Sequence, residues 1–376
     1  MKFTLSTKPL KTVMGLGIIK ANITKFYYRS NLVQITATRD TLKVNIEATA
    51  IKTRMVLKGS GDTDTPASII VDCAKFKSLI DSIDTDVITL EFIDGGIYVH
   101  AGTGKFAIPQ MLDVNDVQLT EPIDNYSTTG SITIRPSDWQ FVKDHQLYAV
   151  SASETRPVYK NVWVSDKKDV VTGDMDRGLF TYSKACDFGS TCLLPASLVN
   201  LFTTIPEGAT ITKADRDYIL DIEADSYKMI TQFTPRYEDD ESIGSYHAEI
   251  VMDKFKHPDE HIILDIVPMV KFINQNAILA NSDKDKVLGF AVDNGTLTLS
   301  TPSNSYSMPA DTTKNYSIYF DIEFIKPLLA SFDTDKINMA PMSRMAEDDD
   351  GKQFEQVYGL SFWSDTLTMV LAGKGM

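Results

Sequence analysis

Several stretches of the chain alternate apolar and polar residues at the two-residue period of a half-buried strand. Val87-Ile-Thr-Leu-Glu-Phe92 runs this way, turns at Asp94-Gly95-Gly96, and continues through Ile97-Tyr-Val-His100 and Lys105-Phe-Ala-Ile108. Paired runs read as hairpins: Val33–Thr38 with Thr41–Ala48, Val162–Ser165 with Val170–Thr172, and Gly289–Val292 with Leu297–Ser300. The residues between them, Arg39-Asp40, Asp166-Lys-Lys-Asp169 and Asp293-Asn-Gly295, are turn formers. Proline in a first turn marks helices beginning near Pro9, Pro136 and Pro268. Three more short amphipathic helices follow the apolar strands Ile69–Val71, Cys192–Leu194 and Ile318–Phe320.

This order repeats. Phe76-Lys-Ser-Leu-Ile-Asp-Ser-Ile-Asp-Thr-Asp86 and Ile325-Lys-Pro-Leu-Leu-Ala-Ser-Phe-Asp-Thr-Asp335 share six of eleven residues at an offset of 249. A more diverged copy, Cys192 to Ile205, lies near half that offset. Each third, about 125 residues long, reads helix, hairpin and strands, then helix, hairpin and strands. The fold class this predicts is α+β: three tandem domains over 1–124, 125–246 and 247–376, each with two helices laid on antiparallel sheets. Leu119–Tyr126 and Tyr237–Ser245 are the expected linkers.

Composition narrows the classes of function. With 43% hydrophobic residues the chain is too apolar for disorder, and it has no continuous apolar run of membrane-spanning length. The N-terminus lacks the uninterrupted apolar region of a signal peptide, so a cytoplasmic protein is expected. Cys73, Cys186 and Cys192 form no CxxC pair and have no histidine at ligand spacing, which favours a reducing compartment and no zinc site. The five histidines, His100, His145, His247, His257 and His261, do not cluster. GxxxxGK[ST], HExxH and GxSxG are absent, and most paired carboxylates sit at turns. The expectation is a protein without catalytic residues, cofactor or metal.

A net charge of −14 argues against nucleic acid as a partner until its distribution is read. Lys2, Lys8, Lys11, Lys20, Lys25, Arg29 and Arg39 all precede the first acidic residue, Asp40, while Glu238–Glu241 and Glu347–Asp350 are acidic runs. Basic residues here either solvate a surface helix or face phosphates.

The three copies, the Met1-Lys-Phe-Thr start, Val87 to Met111, Tyr159-Lys-Asn-Val162 and Asn276-Ala-Ile-Leu-Ala-Asn-Ser-Asp-Lys-Asp-Lys-Val-Leu-Gly-Phe290 together resemble bacterial-type DNA polymerase sliding clamps, the beta subunit of polymerase III. The resemblance spans the chain. It implies a head-to-tail homodimer whose six domains close a ring around double-stranded DNA, with helices inside and sheets outside. A basic interior would attract phosphates, and an acidic exterior would discourage non-specific binding. The DNA-facing set it implies is Lys8, Lys11, Lys20, Lys25, Lys75, Arg156, Tyr159, Lys284 and Lys286. Phe106 and Ile108 would meet the partner's third domain, where Ile278 and Leu279 form the reciprocal surface. Thr172, Arg177, Leu179, Ile243, Val370 and Met376 would belong to a pocket that receives short linear peptides from the DNA polymerase and the clamp loader.

The chain departs from the family pattern in places. Ala196-Ser197 stands where a basic pair is usual, Thr172-Gly-Asp-Met-Asp-Arg177 carries an extra residue, and Val370-Leu-Ala-Gly-Lys-Gly-Met376 lacks the proline and paired methionines. An acidic insertion lies around Ala346–Lys352. These departures suggest altered peptide preference and a divergent, phage-like lineage acting in a bacterial or host cytoplasm. The alternative function is a clamp-fold phage structural or DNA-mimicking protein that encircles nothing.

Overall fold

The structure, a computed structural model, describes the chain apart from residues 16–30, 49–50, 112–118, 125, 127–129, 134, 154, 185–190, 206–207, 215–216, 235–245, 247–251, 280–285, 348–350 and 375–376. It forms two compact units, Met1–Ser137 with Ser197–Arg236, and Asp138–Ala196 with Tyr237–Met376. Six α-helices and four wholly antiparallel sheets are present among the described residues, the α+β architecture expected.

The first unit holds a five-stranded sheet in the order Ser60–Gly61, Lys2–Ser6, Val87–Ile93, Gly96–Ala101, Gly104–Pro109. Its eight-stranded sheet runs Gly130–Thr133, Thr210–Ala214, Asp217–Ala224, Tyr227–Phe233, Ile51–Lys58, Thr41–Ala48, Leu32–Ala37, Ala67–Asp72. Period-two patterning is visible in the burial, since every other side chain of Ile51–Lys58 is buried up to Leu57. Helix Cys73–Ser82 begins where the Asp72 side chain accepts from the Lys75 amide, and it buries Cys73, Phe76 and Ile80 on one stripe. The helix packs against helix Thr7–Gly15, which buries Leu10, Val13 and Met14, and each such buried side chain contributes about 1.5–3 kcal/mol. Burial also pushes the Cys73 thiol up to about 12.

The second unit holds an eight-stranded sheet in the order Cys192–Pro195, Asn161–Val164, Asp169–Asp174, Leu179–Lys184, Leu367–Ala372, Gln353–Trp363, Lys336–Glu347, Ile262–Asp265. A four-stranded sheet follows the order Ser305–Pro309, Thr296–Ser300, Val287–Asp293, Tyr316–Asp321. Positive φ at both Asn294 (46°) and Gly295 (75°) matches the turn whose twist suits a two-residue hairpin. Helices Ile266–Leu279 and Ile322–Ala330 pack together over a core that includes Met269, Ile273, Ile325 and Leu328.

The compact units cut across the sequence thirds because each eight-stranded sheet joins strands from neighbouring thirds. Ile51–Lys58 pairs with Tyr227–Phe233, and Leu179–Lys184 pairs with Leu367–Ala372. In the first unit, part of the expected linker is fastened to the sheet by charge. Glu121 accepts from Lys43 (2.7 Å), Asn45 (3.1 Å) and Arg54 (3.1 Å), and Arg54 also binds Asp124 (3.0 Å). Burial alone would raise the Glu121 carboxyl, but its hydrogen bonds from Lys43 and Arg54 outweigh this and hold it below the ordinary range. Arg54 does the same for Asp124.

A depressed folded-state value means that the unfolded chain takes up the proton first, so this stabilisation is present at neutral pH and lost on acidification. Wild type should therefore exceed Glu121→Gln in melting temperature at neutral pH, with the gap closing progressively once pH falls below about 4.5, the ordinary glutamate value. A gap that stays constant in thermal melts down to about pH 3 would show that the carboxylate charge is not what fastens the segment.

Candidate functional site

Lys8 is exposed and Lys11 half-buried on helix Thr7–Gly15, one turn apart. Lys75 is exposed in the first turn of its helix. Two other cations of the expected set are engaged locally: Arg156 bridges Asp176 at 3.4 Å and Lys286 bridges Glu323 at 2.7 Å. Tyr159 corrects the expectation, because its side chain is buried and cannot meet DNA. It sits in the short turn Pro157–Lys160, with its ring 4.9 Å from Tyr246 and 5.8 Å from Phe180. Lys20, Lys25 and Lys284 lie outside the described residues.

Taken helix by helix, the exposed charged positions are Lys8, Lys75, Lys271 and Lys326 against Asp81, Asp144 and Glu323. That is near balance. Among the described residues these helices offer a weak positive potential rather than a phosphate-gripping surface.

Each unit exposes a sheet edge with apolar residues beside it. In the first unit the edge strand is Gly104–Pro109, where Phe106 is 43% exposed and its ring folds over Gly104. A Cβ at Gly104 would fall 2.8 Å from that ring, so glycine makes room for it. Lys105 on the same strand bridges Glu91 (3.3 Å) and lies 3.8 Å from the Tyr98 ring centre, and His100 also bonds Glu91 (2.8 Å). The His100 and Lys105 hydrogen bonds hold the Glu91 carboxyl down to about 2. Ile108 departs from the expected interface: paired opposite buried Ile97, it lies in the unit's own core.

In the second unit the corresponding edge is Ser305–Pro309. Ile278 (81% exposed) and Leu279 (61%) end helix Ile266–Leu279. As adjacent exposed apolar residues they are this unit's candidate for a surface covered by a partner.

The second unit also contains a cavity of about 270 Å³ lined by Arg177, Phe320, Asp321, Phe324, Leu371, Ala372 and Lys374, among others. Arg177 is held by Asp174 (3.1 Å) and lies 5.2 Å from the Phe324 ring centre, which fixes both against one wall. Asp321 caps helix Ile322–Ala330 by accepting from the Glu323 amide at 2.9 Å. Gly373 and Lys374 are tied down through their amides to Tyr358 (2.8 Å) and Tyr319 (2.7 Å) carbonyls.

Of the expected pocket residues that are described, Arg177 alone reaches this lining. Thr172, Leu179 and Val370 are buried in the sheet: Leu179 shares a core with Leu371, Val370 packs in the core of the other face with Phe180, and Thr172 bonds the Gln146 carbonyl (2.8 Å). Ile243 and Met376 lie outside the described residues. Phe324 and Asp321 were missed, although an aspartate between an apolar strand and a helical run is a legible cap signal. Among the described residues, no cluster of three His, Cys, Asp or Glu side chains could hold a metal ion, and no helix is long and apolar enough to cross a membrane.

No protein-family model and no curated protein sequence matches the chain. Solved structures do. The DNA polymerase III beta subunit of Thermotoga maritima matches with a TM-score of 0.76 at 11% identity, covering 100% of this chain and 99% of that one. The Pseudomonas aeruginosa beta subunit matches at 0.74 with 13% identity, covering 100% of both chains. The Caulobacter crescentus beta sliding clamp, solved with polyethylene glycol bound, gives the same TM-score, identity and coverage. From end to end, this chain has the sliding-clamp fold.

Proposed function

We propose that the chain is a DNA sliding clamp: two copies close head to tail into a ring around duplex DNA, and the ring tethers the replicative polymerase. The domains are those read from the repeat, 1–124, 125–246 and 247–376. The observation that carries this reading is the full-length correspondence with clamp structures.

The geometry of each unit supports it. Among the described residues, Gly104–Pro109 and Ser305–Pro309 are the outer strands of their sheets, and such edges are templates for pairing with another chain unless blunted or covered. Antiparallel pairing of one with the other across a head-to-tail dimer would satisfy them. It would also bury Phe106 against Ile278 and Leu279. A ring with near-neutral helices then holds DNA by closure and lets it slide, because few phosphate contacts must be broken at each step. No catalytic group is needed. The small cavity beside Phe324 would take part of a short peptide from the polymerase or the clamp loader, an apolar side chain against Phe324 and polar groups against Arg177, Lys374, Asp176 and Asp321. We place this activity in the cytoplasm, where the DNA partner is replicated.

Light scattering should give twice the 41.9 kDa chain mass. After loading, the protein should stay on nicked circular DNA through gel filtration and leave when the DNA is linearised. A monomer at micromolar concentration overturns the ring. A dimer that never links to circles, even with a cognate loader, points instead to a clamp-fold binding protein that does not encircle DNA.

A further inference from the structure

The two sheets that join neighbouring thirds are closed in the same way. Strand Tyr227–Phe233 begins directly after a two-residue turn, and Tyr227 pairs with Leu57, the last residue but one of Ile51–Lys58. Strand Leu367–Ala372 also begins after a two-residue turn, and Leu367 pairs with Ser183, the last residue but one of Leu179–Lys184. The receiving strands are equivalent too. Their final residues, Lys58 and Lys184, lie opposite Thr41 and Asp169, which open the strands before them. Two seams far apart in the sequence therefore share one register.

One strand of each kind has no such partner among the described residues. Gly104–Pro109 begins after a two-residue turn, and Ser305–Pro309 ends at Pro309 opposite Thr296, which opens the strand before it. Their backbones alternate in step. The Gln110 amide donates to the Gly95 carbonyl (3.0 Å) and the Ala310 amide to the Gly295 carbonyl (2.8 Å), so even-numbered residues bond inward. Lys105, Ala107, Ser305 and Ser307 then direct their backbone groups away from their own sheets. The side chains agree as well. Phe106 pairs opposite buried Val99, and Tyr306 packs on the second unit's core with its ring 5.9 Å from that of Phe272, so both turn to the buried face.

We propose that the subunit contact repeats the register of the internal seams. Gly104 of one copy lies opposite Met308 of the partner subunit, Lys105 opposite Ser307, Phe106 opposite Tyr306, and Ala107 opposite Ser305. The inference rests on the reading of the chain as a head-to-tail dimer, and it adds Tyr306 to the contact. Lys105 with Ser307, and Ala107 with Ser305, exchange backbone hydrogen bonds. Phe106 and Tyr306 form the closer kind of pair, about 4.5 Å between Cα atoms, so their rings meet. Pro309 follows, and without an N–H it ends the ladder. A slip of two residues keeps the backbone alternation but sets Phe106 against Asn304 or Met308 and loses the aromatic pair.

Cysteine trapping in the full chain tests the register. Lys105, Ser305 and Ser307 are all exposed, so cysteines there disturb little of the chain's own core. In Lys105→Cys with Ser307→Cys, directly opposed positions about 5.5 Å apart at Cα lie within disulfide reach. In Lys105→Cys with Ser305→Cys, the diagonal positions lie beyond about 7 Å and do not. Mild oxidation should convert the first variant to a covalent dimer on non-reducing gels and leave the second unlinked, with wild type as the control for native cysteines. A second arm compares Phe106→Ala, Tyr306→Ala and the double variant by sedimentation. The dimer Kd of the double variant should rise about three- to tenfold less than the product of the single effects.

Linking of the diagonal pair, or of neither pair, in a protein that light scattering shows to be a dimer overturns the register and leaves the ring reading standing. Independent effects of Phe106→Ala and Tyr306→Ala overturn the aromatic pairing in the same way. A wild type that stays monomeric overturns both readings.

Discussion

Ile278→Asp is expected to run as a monomer at concentrations where the wild type is a dimer. At 81% exposure the Ile278 side chain does almost nothing for the chain's own core, so the substitution should leave circular dichroism and melting of the monomer nearly unchanged. On the proposed ring the same position is covered by the partner, and an aspartate there must give up hydration with no cation provided for it. It also sits at the C-terminal end of helix Ile266–Leu279, where the backbone already carries partial negative charge. Together these terms cost about 3 kcal/mol or more, a hundredfold or greater rise in the dimer Kd. Phe106→Arg should reproduce the effect from the opposite surface. Sedimentation of both variants across a concentration series decides the matter, and dimers that persist at nanomolar concentration would place the subunit contact elsewhere.

Gln146→Leu is expected to damage the second unit severely. Gln146 is fully buried, and its amide donates to the Thr181 hydroxyl (3.1 Å) and the Val170 carbonyl (3.3 Å) while accepting from Ser183 (2.6 Å). Thr172 and Thr181 complete the network by bonding each other at 2.6 Å. Leucine fills similar volume but leaves the Ser183 hydroxyl without its acceptor and removes both amide donors. With roughly 1–3 kcal/mol for each buried group left unsatisfied, a loss on the order of 3 kcal/mol or more follows. A shift of the urea midpoint at unchanged slope measures it. A near-neutral result would mean that the network contributes little beyond what leucine packing restores.

The elements were legible because local signals agree with the fold. The hairpin turn Asp293-Asn-Gly295, the strands Val87–Ile93 and Gly96–Ala101, and the proline-initiated helices all fall where alternation and turn residues put them. What stayed hidden depends on contacts far apart in sequence. Nothing local distinguishes Tyr159 as a core residue, since Phe180 and Tyr246 bury it. The resemblance put Thr172, Leu179 and Val370 at the pocket, and nothing in the local sequence says that all three are buried. Phe320 and Phe324 read as core of their own strand and helix, and they line a cavity only because Arg177 and Lys374 come from other strands and loops. The insertion around Ala346–Lys352 reads as an acidic loop, because Ser343–Glu347 shows no clean alternation that would announce a strand.

The joining of Ile51–Lys58 to Tyr227–Phe233 bears on how the protein emerges from the ribosome. Thr53 and Thr231 share a buried hydrogen bond at 3.1 Å across that seam, so the inner half of the sheet cannot be completed until the second third has been made. At 5–20 residues per second, the edge of Ile51–Lys58 waits roughly ten to thirty seconds for its partner strand. During that interval the nascent chain has an unpaired edge, along which Lys52, Arg54 and Lys58 discourage pairing with a neighbour. The repeat that makes the architecture easy to read is thus out of phase with the unit that folds. Fragments cut at the repeat boundary, as a first third expressed alone would be, begin life with an edge whose partner strand they do not contain.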